Sequence, residues 1–216
     1  MTSNKVHQLI LASGSPRRKE LLSWLDVKFT IISSDVEEVT EKIEPVEVAQ
    51  DLAALKGRDV FSKIDRLQFP NPIIISSDTI VTYNGLIYGK PKNKASAREM
   101  LLELEGKTHE VITSVFFLKS DLHSGEVIEK VFSVSSKVTF EKIDRDLLDR
   151  YIESGESLDK AGSYGIQGRG LSFISNLDGS YSNVVGLPLS DFFREFKAFL
   201  GFENSINGEW RKVLGE

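Results

Sequence analysis

The amino-acid sequence predicts an α/β fold in which helices flank a mixed β-sheet. Short apolar runs typical of buried strands alternate with segments whose apolar residues recur at helical spacing. Three strand-like runs follow one another in the middle of the chain, which indicates an antiparallel section within the sheet. No repeat, low-complexity segment or linker divides the chain, so residues 1–216 are predicted to form one domain.

The first elements follow from the apolar pattern and from the position of proline. In chain order we expect a buried strand, a helix, a short strand and a second helix, over residues 6–12, 16–25, 29–33 and 45–61. Pro45 suits the first turn of the second helix, because its missing N–H needs no partner there. The inward face of this helix carries Lys56 among Ala49, Leu52, Ala53 and Val60.

A β-hairpin is predicted next, around Asn84 and Gly85. These residues stand between two β-type runs, and a two-residue type I′ turn needs a positive φ at both of its positions. Asn93 is a suitable N-cap for the helix that follows, and Gly106 is a suitable end for it.

The second half of the chain is predicted to start with the antiparallel section. Its three strands are expected over residues 108–119, 126–134 and 136–143. Asp144 or Asp146 caps the next helix, which Gly155 ends. The segment "DKAGSYGIQGRG", residues 159–170, lacks the Gly/Ser monotony of a flexible linker and is interpreted as an ordered functional loop. Two more short strands and a helix over residues 189–200 complete the fold.

Composition narrows the possible functions. The chain has no cysteine, which excludes disulfides, thiolate zinc sites and cysteine nucleophiles. The three histidines, His7, His109 and His123, are not spaced as metal ligands, and each is expected to be an ordinary strand or loop residue. A net charge of −5 argues against nucleic-acid binding, which needs a dominant basic face. No apolar run is long enough for a membrane span and no signal peptide is evident, so a cytoplasmic protein is expected.

The stretch "LASGSPRRKELL" predicts an anion site at a strand-to-helix corner. Ser15 would be the N-cap and Pro16 the first helical residue, which leaves free N–H groups beside the hydroxyls of Ser13 and Ser15. A helix N-terminus favours an anion, and cations are ordinarily disfavoured there. Arg17 and Arg18 fit this turn if a polyanion lies between them and the helix end, since guanidinium groups match phosphate oxygens. The alternative is a capped helix with solvated arginines.

The stretch "IIISSDTIVTY" places Asp78 inside a strongly apolar β-run, where an unpaired carboxylate is costly to bury. A structural hydrogen bond to a neighbouring turn remains open, because Ser76, Ser77 and Thr79 supply hydroxyl groups beside it. The nearby anion site favours the interpretation of Asp78 as an active-site residue.

Three further charged residues are candidates. Lys56 interrupts the apolar face of its helix, although a long lysine stem can also cross such a face to reach water. Lys90 follows the hairpin and could equally be a solvated loop charge. Glu38, or its neighbour Glu37, could join Asp78 in holding Mg²⁺ through oxygen ligands, the alternative being a solvent-facing charge. Methionine suits the apolar helix face, so Lys56→Met is expected to cost activity rather than stability.

The reaction cannot be identified from a known phosphate-binding motif, because the sequence contains neither of the two common ones. Neither G-x-x-x-x-G-K-[ST] nor G-x-G-x-x-G after a strand is present, which excludes a Walker-type NTPase. The residues alone therefore indicate a phosphate-binding α/β enzyme, assisted by a metal, with Asp78 at its centre.

Seven segments together resemble the Maf family of nucleoside triphosphate pyrophosphatases, also called septum-formation inhibitor homologues. They run in family order from Leu9 to Pro188: "LASGSPRRKELL", "SDVEE", "SSDTIV", "YGKP", "GKTHEVIT", "YIESGESLDKAGSYGIQGRG" and "DGSYSNVVGLP". The resemblance implies a twisted mixed sheet related to the inosine triphosphate pyrophosphatases, with a cleft between two lobes. It also implies hydrolysis of a nucleoside triphosphate to the monophosphate and pyrophosphate, a divalent cation such as Mg²⁺ or Mn²⁺, and a homodimer.

The resemblance also implies roles for individual residues. Asp78 falls on the catalytic position as proton acceptor, and Glu38 and Asp78 would hold the metal. Substrate would be bound by Ser13, Arg18, Lys56 and Lys90, together with Ser15 of the predicted anion corner. Two departures from the commonest family pattern affect packing near the site: Ser76-Ser77 stand where Gly-Ala is usual, and Gly57 where alanine is usual.

Three positions select the base within the family, and this chain carries Arg17, Thr79 and Gln167 there. This set matches the branch acting on dTTP and UTP; the 7-methyl-GTP branch tends to have tryptophan at the position of Arg17. Gln167 offers both a donor and an acceptor and the Thr79 hydroxyl can adapt, so dCTP should be disfavoured. Two other functions stay open: a non-catalytic nucleotide-binding regulator of cell division, and a house-cleaning pyrophosphatase for modified nucleotides.

Overall fold

The computed structural model describes residues 6–120 and 125–216, and His123 lies outside these ranges. Within them, seven strands form one mixed sheet and six α-helices pack around it. The strands are β1 (Gln8–Leu11), β2 (Thr30–Ile31), β3 (Pro72–Tyr83), β4 (Leu86–Tyr88), β5 (Thr108–Ser120), β6 (Val127–Phe140) and β7 (Ile174–Asp178). The helices are α1 (Pro16–Ser23), α2 (Pro45–Lys63), α3 (Lys94–Leu104), α4 (Arg145–Ser154), α5 (Tyr181–Val185) and α6 (Leu189–Phe199). The predicted fold class, a mixed sheet flanked by helices, is confirmed.

The sheet has the order β2-β1-β3-β5-β6-β7, with β4 also paired to β3. Strands β1 and β2 run parallel to their neighbours, while β4, β5, β6 and β7 form antiparallel pairs. On one edge of β3, pairing with β1 ends at Ile75 and pairing with β4 begins at Val81. The intervening stretch, Ser76–Ile80, therefore has no strand partner on that edge. This gap in the sheet is where the candidate site lies.

Local sequence signals explain most element boundaries. Asn84 and Gly85 have φ values of 51° and 77°, as the predicted type I′ turn requires. The Asn93 side chain accepts a hydrogen bond from the Ser96 N–H, and the Ser96 hydroxyl accepts one from the Asn93 N–H, which completes a capping box at α3. Of the two candidate caps for α4, Asp144 is the one used, since its side chain accepts from the first-turn N–H groups.

Two predicted elements are wrong. The strands expected over residues 126–134 and 136–143 are one continuous strand, β6, because pairing with β5 passes through Ser135 without a turn. The serines in this segment do not break the strand: Ser133 forms a 2.8 Å side-chain hydrogen bond with Ser114 on β5. Of the two short strands expected after the glycine-rich loop, only β7 forms. The second is the helix α5, where the Ser180 side chain caps the Asn183 N–H and outweighs the strand preference of the two valines that follow.

Two apolar clusters border the sheet gap from different sides. One cluster contains Ile166 and Val185, packed with residues of β1, α1 and α6. The other contains Val81, Val111 and Tyr164, packed with residues of α3 and α4. All five of these residues also line a single cavity. The cavity therefore lies between two cores, which is the cleft that the resemblance implies. No helix in the described ranges is long and apolar enough to cross a membrane.

The helix α2 approaches the sheet closely at Gly57. A Cβ atom at this position would lie 2.5 Å from the Phe116 ring and 2.7 Å from Ser76 Oγ. The Ser76 hydroxyl in turn donates a 2.6 Å hydrogen bond to the Ala53 carbonyl on α2. Glycine at 57 and serine at 76 are thus complementary, which gives a physical reason for these two departures from the family pattern.

Gly57→Ala is expected to lower the free energy of unfolding by about 1–3 kcal/mol through overpacking. Alanine in a helix would otherwise stabilise by about 1 kcal/mol relative to glycine. Chemical denaturation of Gly57→Ala, Ser76→Gly and the double variant measures the coupling. The double variant should lose less than the sum of the single losses, because the serine hydroxyl is no longer in the way. A Gly57→Ala protein that is more stable than the wild type would contradict the close approach.

A buried histidine on β5 links stability to pH. His109 is 1% exposed, and its Nε2 lies 2.7 Å from the Tyr164 hydroxyl. Burial lowers the pKa of His109 from 6.5 to about 4. Between these values the unfolded chain binds a proton that the folded protein does not, so folding loses stability as the pH falls.

We expect this histidine to cost up to about 3 kcal/mol of unfolding free energy as the pH falls from 6.5 to 4. His109→Gln keeps a polar group that can reach Tyr164 but does not titrate. The unfolding free energy of the wild type minus that of the variant should therefore fall by about this amount as the pH falls over this window, whatever its value at pH 7. Parallel curves in urea titrations at pH 4 to 7 would show that the histidine is protonated in the folded state as readily as in the unfolded chain.

Candidate active site

A cavity of about 670 Å³ occupies the gap in the sheet. Its walls come from the β1–α1 corner, the loop before α2, α2 itself, β3, the end of the hairpin and the glycine-rich loop. Glu37, the alternative to Glu38 as a metal ligand, does not line it. The other ten candidates from the sequence do: Ser13, Ser15, Arg17, Arg18, Glu38, Lys56, Asp78, Thr79, Lys90 and Gln167. The lining also contains Asp159 and Lys160, giving five basic and three acidic side chains. This excess of positive charge suits an anionic ligand.

The β1–α1 corner has the predicted form. Ser15 is the N-cap of α1 and Pro16 its first residue, but the Ser15 side chain makes no capping hydrogen bond. The Ser13 hydroxyl instead accepts from the Ser15 N–H at 3.2 Å and from Arg18 at 3.4 Å. No acidic residue stands in the first helical turn and no side chain caps it, and this turn lines the cavity. Its N–H groups are therefore left for another acceptor.

Arg18 is fixed in the cavity wall rather than solvated. Its Nε donates to the Gly186 carbonyl at 3.0 Å, and a terminal nitrogen donates to Thr79 Oγ1 at 3.1 Å. Burial lowers the pKa of Arg18, while the negative charge of Asp78 opposes that shift. An arginine side chain stays protonated in proteins, so Arg18 holds a positive charge in a partly desolvated place.

Lys56 lies between two carboxylates. Its Nζ is 2.6 Å from Asp78 Oδ1 and 2.9 Å from Glu38 Oε2. The Lys56 and Asp78 side chains are only 14% and 9% exposed, whereas that of Glu38 is 45% exposed. The long stem of Lys56 does cross the apolar face of α2, but its ammonium group ends inside the cavity and not in bulk water.

Asp78 is thus a buried carboxylate with a charged partner. Lys56 on α2 compensates the negative charge of Asp78 on β3. The two residues meet only because the tertiary fold packs α2 against β3. The neighbouring hydroxyls do not bind Asp78: those of Ser76 and Ser77 donate to the carbonyls of Ala53 and Gly186.

The glycine-rich loop meets α1 through an ion pair that the sequence did not reveal. Arg17 donates to Asp159 Oδ2 at 3.2 Å, and Asp159 Oδ1 accepts from Lys160 at 2.6 Å. Burial raises the pKa of Asp159, but the hydrogen bonds and charges of Lys160 and Arg17 outweigh it and leave that pKa lowered. The only local indication of this ion pair in the sequence was the adjacent charged pair Asp159-Lys160 at the start of the loop.

The loop that carries Gln167 is packed against its own backbone and neighbours. A Cβ at Gly165 would lie 2.6 Å from the Lys160 stem, and one at Gly168 would lie 2.6 Å from the Glu156 carboxylate. A Cβ at Gly170 would meet the Gly165 carbonyl oxygen at the same distance. This packing holds the half-buried Gln167 side chain in the cavity wall. Lys90, by contrast, is an exposed residue of the lining.

A mixed sheet interrupted at a cavity with convergent arginine, lysine and carboxylate groups defines an α/β protein that binds a polyanion. The chain belongs to the Maf-like family: the family model described as "Maf-like protein" matches residues 8–199. The resemblance predicted from the motifs is thereby confirmed.

Three curated relatives that cover most of the chain are named dTTP/UTP pyrophosphatase. The chain is 50% identical to the protein from Alkaliphilus metalliredigens over 185 residues, which is 85% of this chain and 92% of the relative. It is 43% identical to the protein from Lachnoclostridium phytofermentans and 45% identical to the one from Bacillus anthracis. Each of these alignments spans 195 residues, 90% of this chain and 96% of the relative.

Proposed function

We propose that this protein is a nucleoside triphosphate pyrophosphatase that hydrolyses dTTP and UTP to the nucleoside monophosphate and pyrophosphate. The observation that carries the proposal is the junction of two groups in one cavity: the Lys56–Asp78–Glu38 cluster, and Arg18 beside the start of α1. The carboxylates of the cluster can accept a proton, and Arg18 with the start of α1 can bind phosphates. The names of the curated relatives support the same activity.

Each residue has a chemical role in this proposal. Asp78 accepts a proton from the water that attacks the α-phosphorus, and Lys56 holds the carboxylate in place. Ser13, Ser15 and Arg18 bind phosphate oxygens together with the N–H groups of the first turn of α1. Lys90, whose exposed side chain has room to move, neutralises charge on the departing pyrophosphate.

A divalent cation, Mg²⁺ or Mn²⁺, is part of the proposal. Glu38 and Asp78 present oxygen atoms within 2.9 Å of the same Lys56 nitrogen, so their carboxylates converge. No group of three or more His, Asp or Glu side chains in the described ranges forms a complete protein cage. This donor set fits a hard cation held by one or two carboxylates and by substrate phosphates. When bound, the cation would neutralise charge on the phosphate oxygens.

The test is a panel of dTTP, UTP, dCTP and 7-methyl-GTP incubated with the protein and Mg²⁺ or Mn²⁺ in ¹⁸O-labelled water. Products are separated and analysed by mass spectrometry. Attack at the α-phosphorus predicts pyrophosphate as the first phosphate product and the label in the monophosphate. A nucleoside diphosphate as first product would contradict the proposed reaction, and preference for 7-methyl-GTP would contradict the proposed substrates.

A regulator that binds nucleotide without turnover would give tight binding and no product in this panel. Because Asp78 is paired with Lys56, a buried carboxylate at this position is compatible with such a regulator. Turnover decides between the two functions. The homodimer and the cytoplasmic location stay predictions.

Arg17→Trp is expected to lower kcat/KM for dTTP and UTP by about tenfold or more, since a charged hydrogen-bond donor is lost from the cavity wall. The indole ring would also leave Asp159 without its α1 partner. Steady-state kinetics on both substrates measure the effect, with Arg194→Trp on the exposed side of α6 as the matched control. Unchanged kinetics for Arg17→Trp would remove this arginine from base selection.

A further inference from the structure

Thr113 lies outside the cavity but contacts its wall. It is fully buried on β5, directly opposite Thr79 on β3. The two side-chain oxygens are 2.9 Å apart, and Thr113 Oγ1 is also 2.8 Å from the Asn183 carbonyl oxygen. Thr113 is the last residue of the segment "GKTHEVIT". It is not among the catalytic, substrate-binding or base-selecting positions that the resemblance implies.

The direction of these hydrogen bonds can be assigned by counting protons. A carbonyl oxygen only accepts, so the single Thr113 proton points to Asn183. Thr79 must then donate its own proton to Thr113 Oγ1. Arg18 has no acceptor atom, and it donates to Thr79. Donation therefore runs in one direction, from Arg18 through Thr79 and Thr113 to the Asn183 carbonyl.

This chain of hydrogen bonds changes what Thr79 can offer a ligand. The sequence suggested that the Thr79 hydroxyl could act as donor or acceptor. In the structure its proton is already donated to Thr113 Oγ1. Thr79 is half-buried and lines the cavity, so its remaining lone pair is the group available there. Toward a ligand, Thr79 is an acceptor only.

We propose that Thr113 is a specificity-positioning residue, which holds the Thr79 hydroxyl as an acceptor that recognises the N3–H of a uracil or thymine base. The inference rests on the proposed function for the class of ligand. The pairing edge of these bases carries one N–H group between two carbonyl oxygens, so an acceptor can bind only N3–H. Cytosine has an unprotonated N3, which would face the Thr79 lone pair without a proton between them.

Two substitutions separate this role from packing. Thr113→Val has nearly the same shape but cannot accept, which frees the Thr79 proton to turn toward the cavity. Thr113→Ser keeps the hydroxyl and is the matched control. If Thr113→Val also displaced Arg18, the binding of all nucleotides would weaken equally, because Arg18 contacts the phosphates in the proposed function. The ratio between bases isolates the effect on Thr79.

The experiment measures binding, so that it does not depend on turnover. Calorimetric Kd values are determined for the α,β-imido analogues of dUTP and dCTP, with wild type, Thr113→Val and Thr113→Ser. Wild type should prefer the dUTP analogue by at least about tenfold, Thr113→Ser should keep that ratio, and Thr113→Val should reduce it by about tenfold. Thermal melts of each protein check the fold.

A second measurement uses wild type alone, and it decides the question if Thr113→Val does not fold. The N3-methyl derivative of the dUTP analogue lacks the N–H, while the 5-methyl derivative has the same added bulk and keeps it. Weaker binding of the N3-methyl derivative alone supports the proposal. Equal binding of both, or a base ratio that Thr113→Val leaves unchanged, overturns it. Selective binding without hydrolysis would contradict the proposed function and still support this inference.

Discussion

Asp78→Asn should lower kcat by about 10² to 10⁴-fold while the protein remains folded, since a proton acceptor in a hydrolase typically contributes that much. Asparagine keeps the size of the side chain and an oxygen that can accept from Lys56, but it cannot take a proton. Lys56 also retains Glu38 as a charged partner at 2.9 Å. The site therefore loses its base without losing its geometry.

The measurement is single-turnover release of pyrophosphate from dTTP, with circular-dichroism melts of the same samples. Asp191→Asn provides the matched control, because Asp191 is paired with Arg194 on α6 and does not line the cavity. The control should keep its activity. Normal turnover by Asp78→Asn at an unchanged melting temperature would show that Asp78 is not the proton acceptor.

Lys56→Met should lower the free energy of unfolding by about 3–5 kcal/mol, the usual cost of leaving one member of a buried ion pair without its partner. This reverses the expectation from sequence, which foresaw a loss of activity alone. Methionine fits the apolar face of α2, but Asp78 would remain buried with no compensating charge within hydrogen-bond distance. Turnover should fall as well, because the carboxylate is no longer held in position.

A double-mutant cycle tests this explanation. Lys56→Met combined with Asp78→Asn removes both charges, and the double variant should be more stable than Lys56→Met alone. Lys63→Met, near the end of the same helix, should change the melting temperature much less, since the Lys63 side chain is itself 50% exposed. If Lys56→Met melts like the wild type, Asp78 does not depend on Lys56 for burial.

The sequence predicted those parts of the molecule that local chemistry determines. The turn at Asn84-Gly85, the Asn93 cap and the end of α4 at Gly155 each follow from a backbone preference of one or two residues. The corner at Ser15 and Pro16 is of the same kind. Because several candidate residues belong to short motifs around such turns, the sequence also indicated which residues would line the cavity.

Other features depend on contacts between distant segments, which no local pattern encodes. The Lys56–Asp78 pair forms only because α2 packs on β3. The long strand β6 persists through its serines because β5 supplies partners along its whole length. Thr113 acquires its role from the register that places it opposite Thr79, and a shift of one residue would turn it to the other face of the sheet.

The packing of the glycine-rich loop has a consequence for how substrate preference can diverge. A Cβ at Gly170 would collide with the backbone of Gly165, and Gly168 has a φ of +94°, so a side chain at either position would strain the loop. Gln167 lies between Gly165 and Gly168 with its side chain in the cavity wall. A substitution at residue 167 would therefore change the cavity wall directly, whereas one at Gly168 or Gly170 would first disturb the loop backbone. We expect cavity chemistry to diverge during evolution at residue 167 and not at these two glycines.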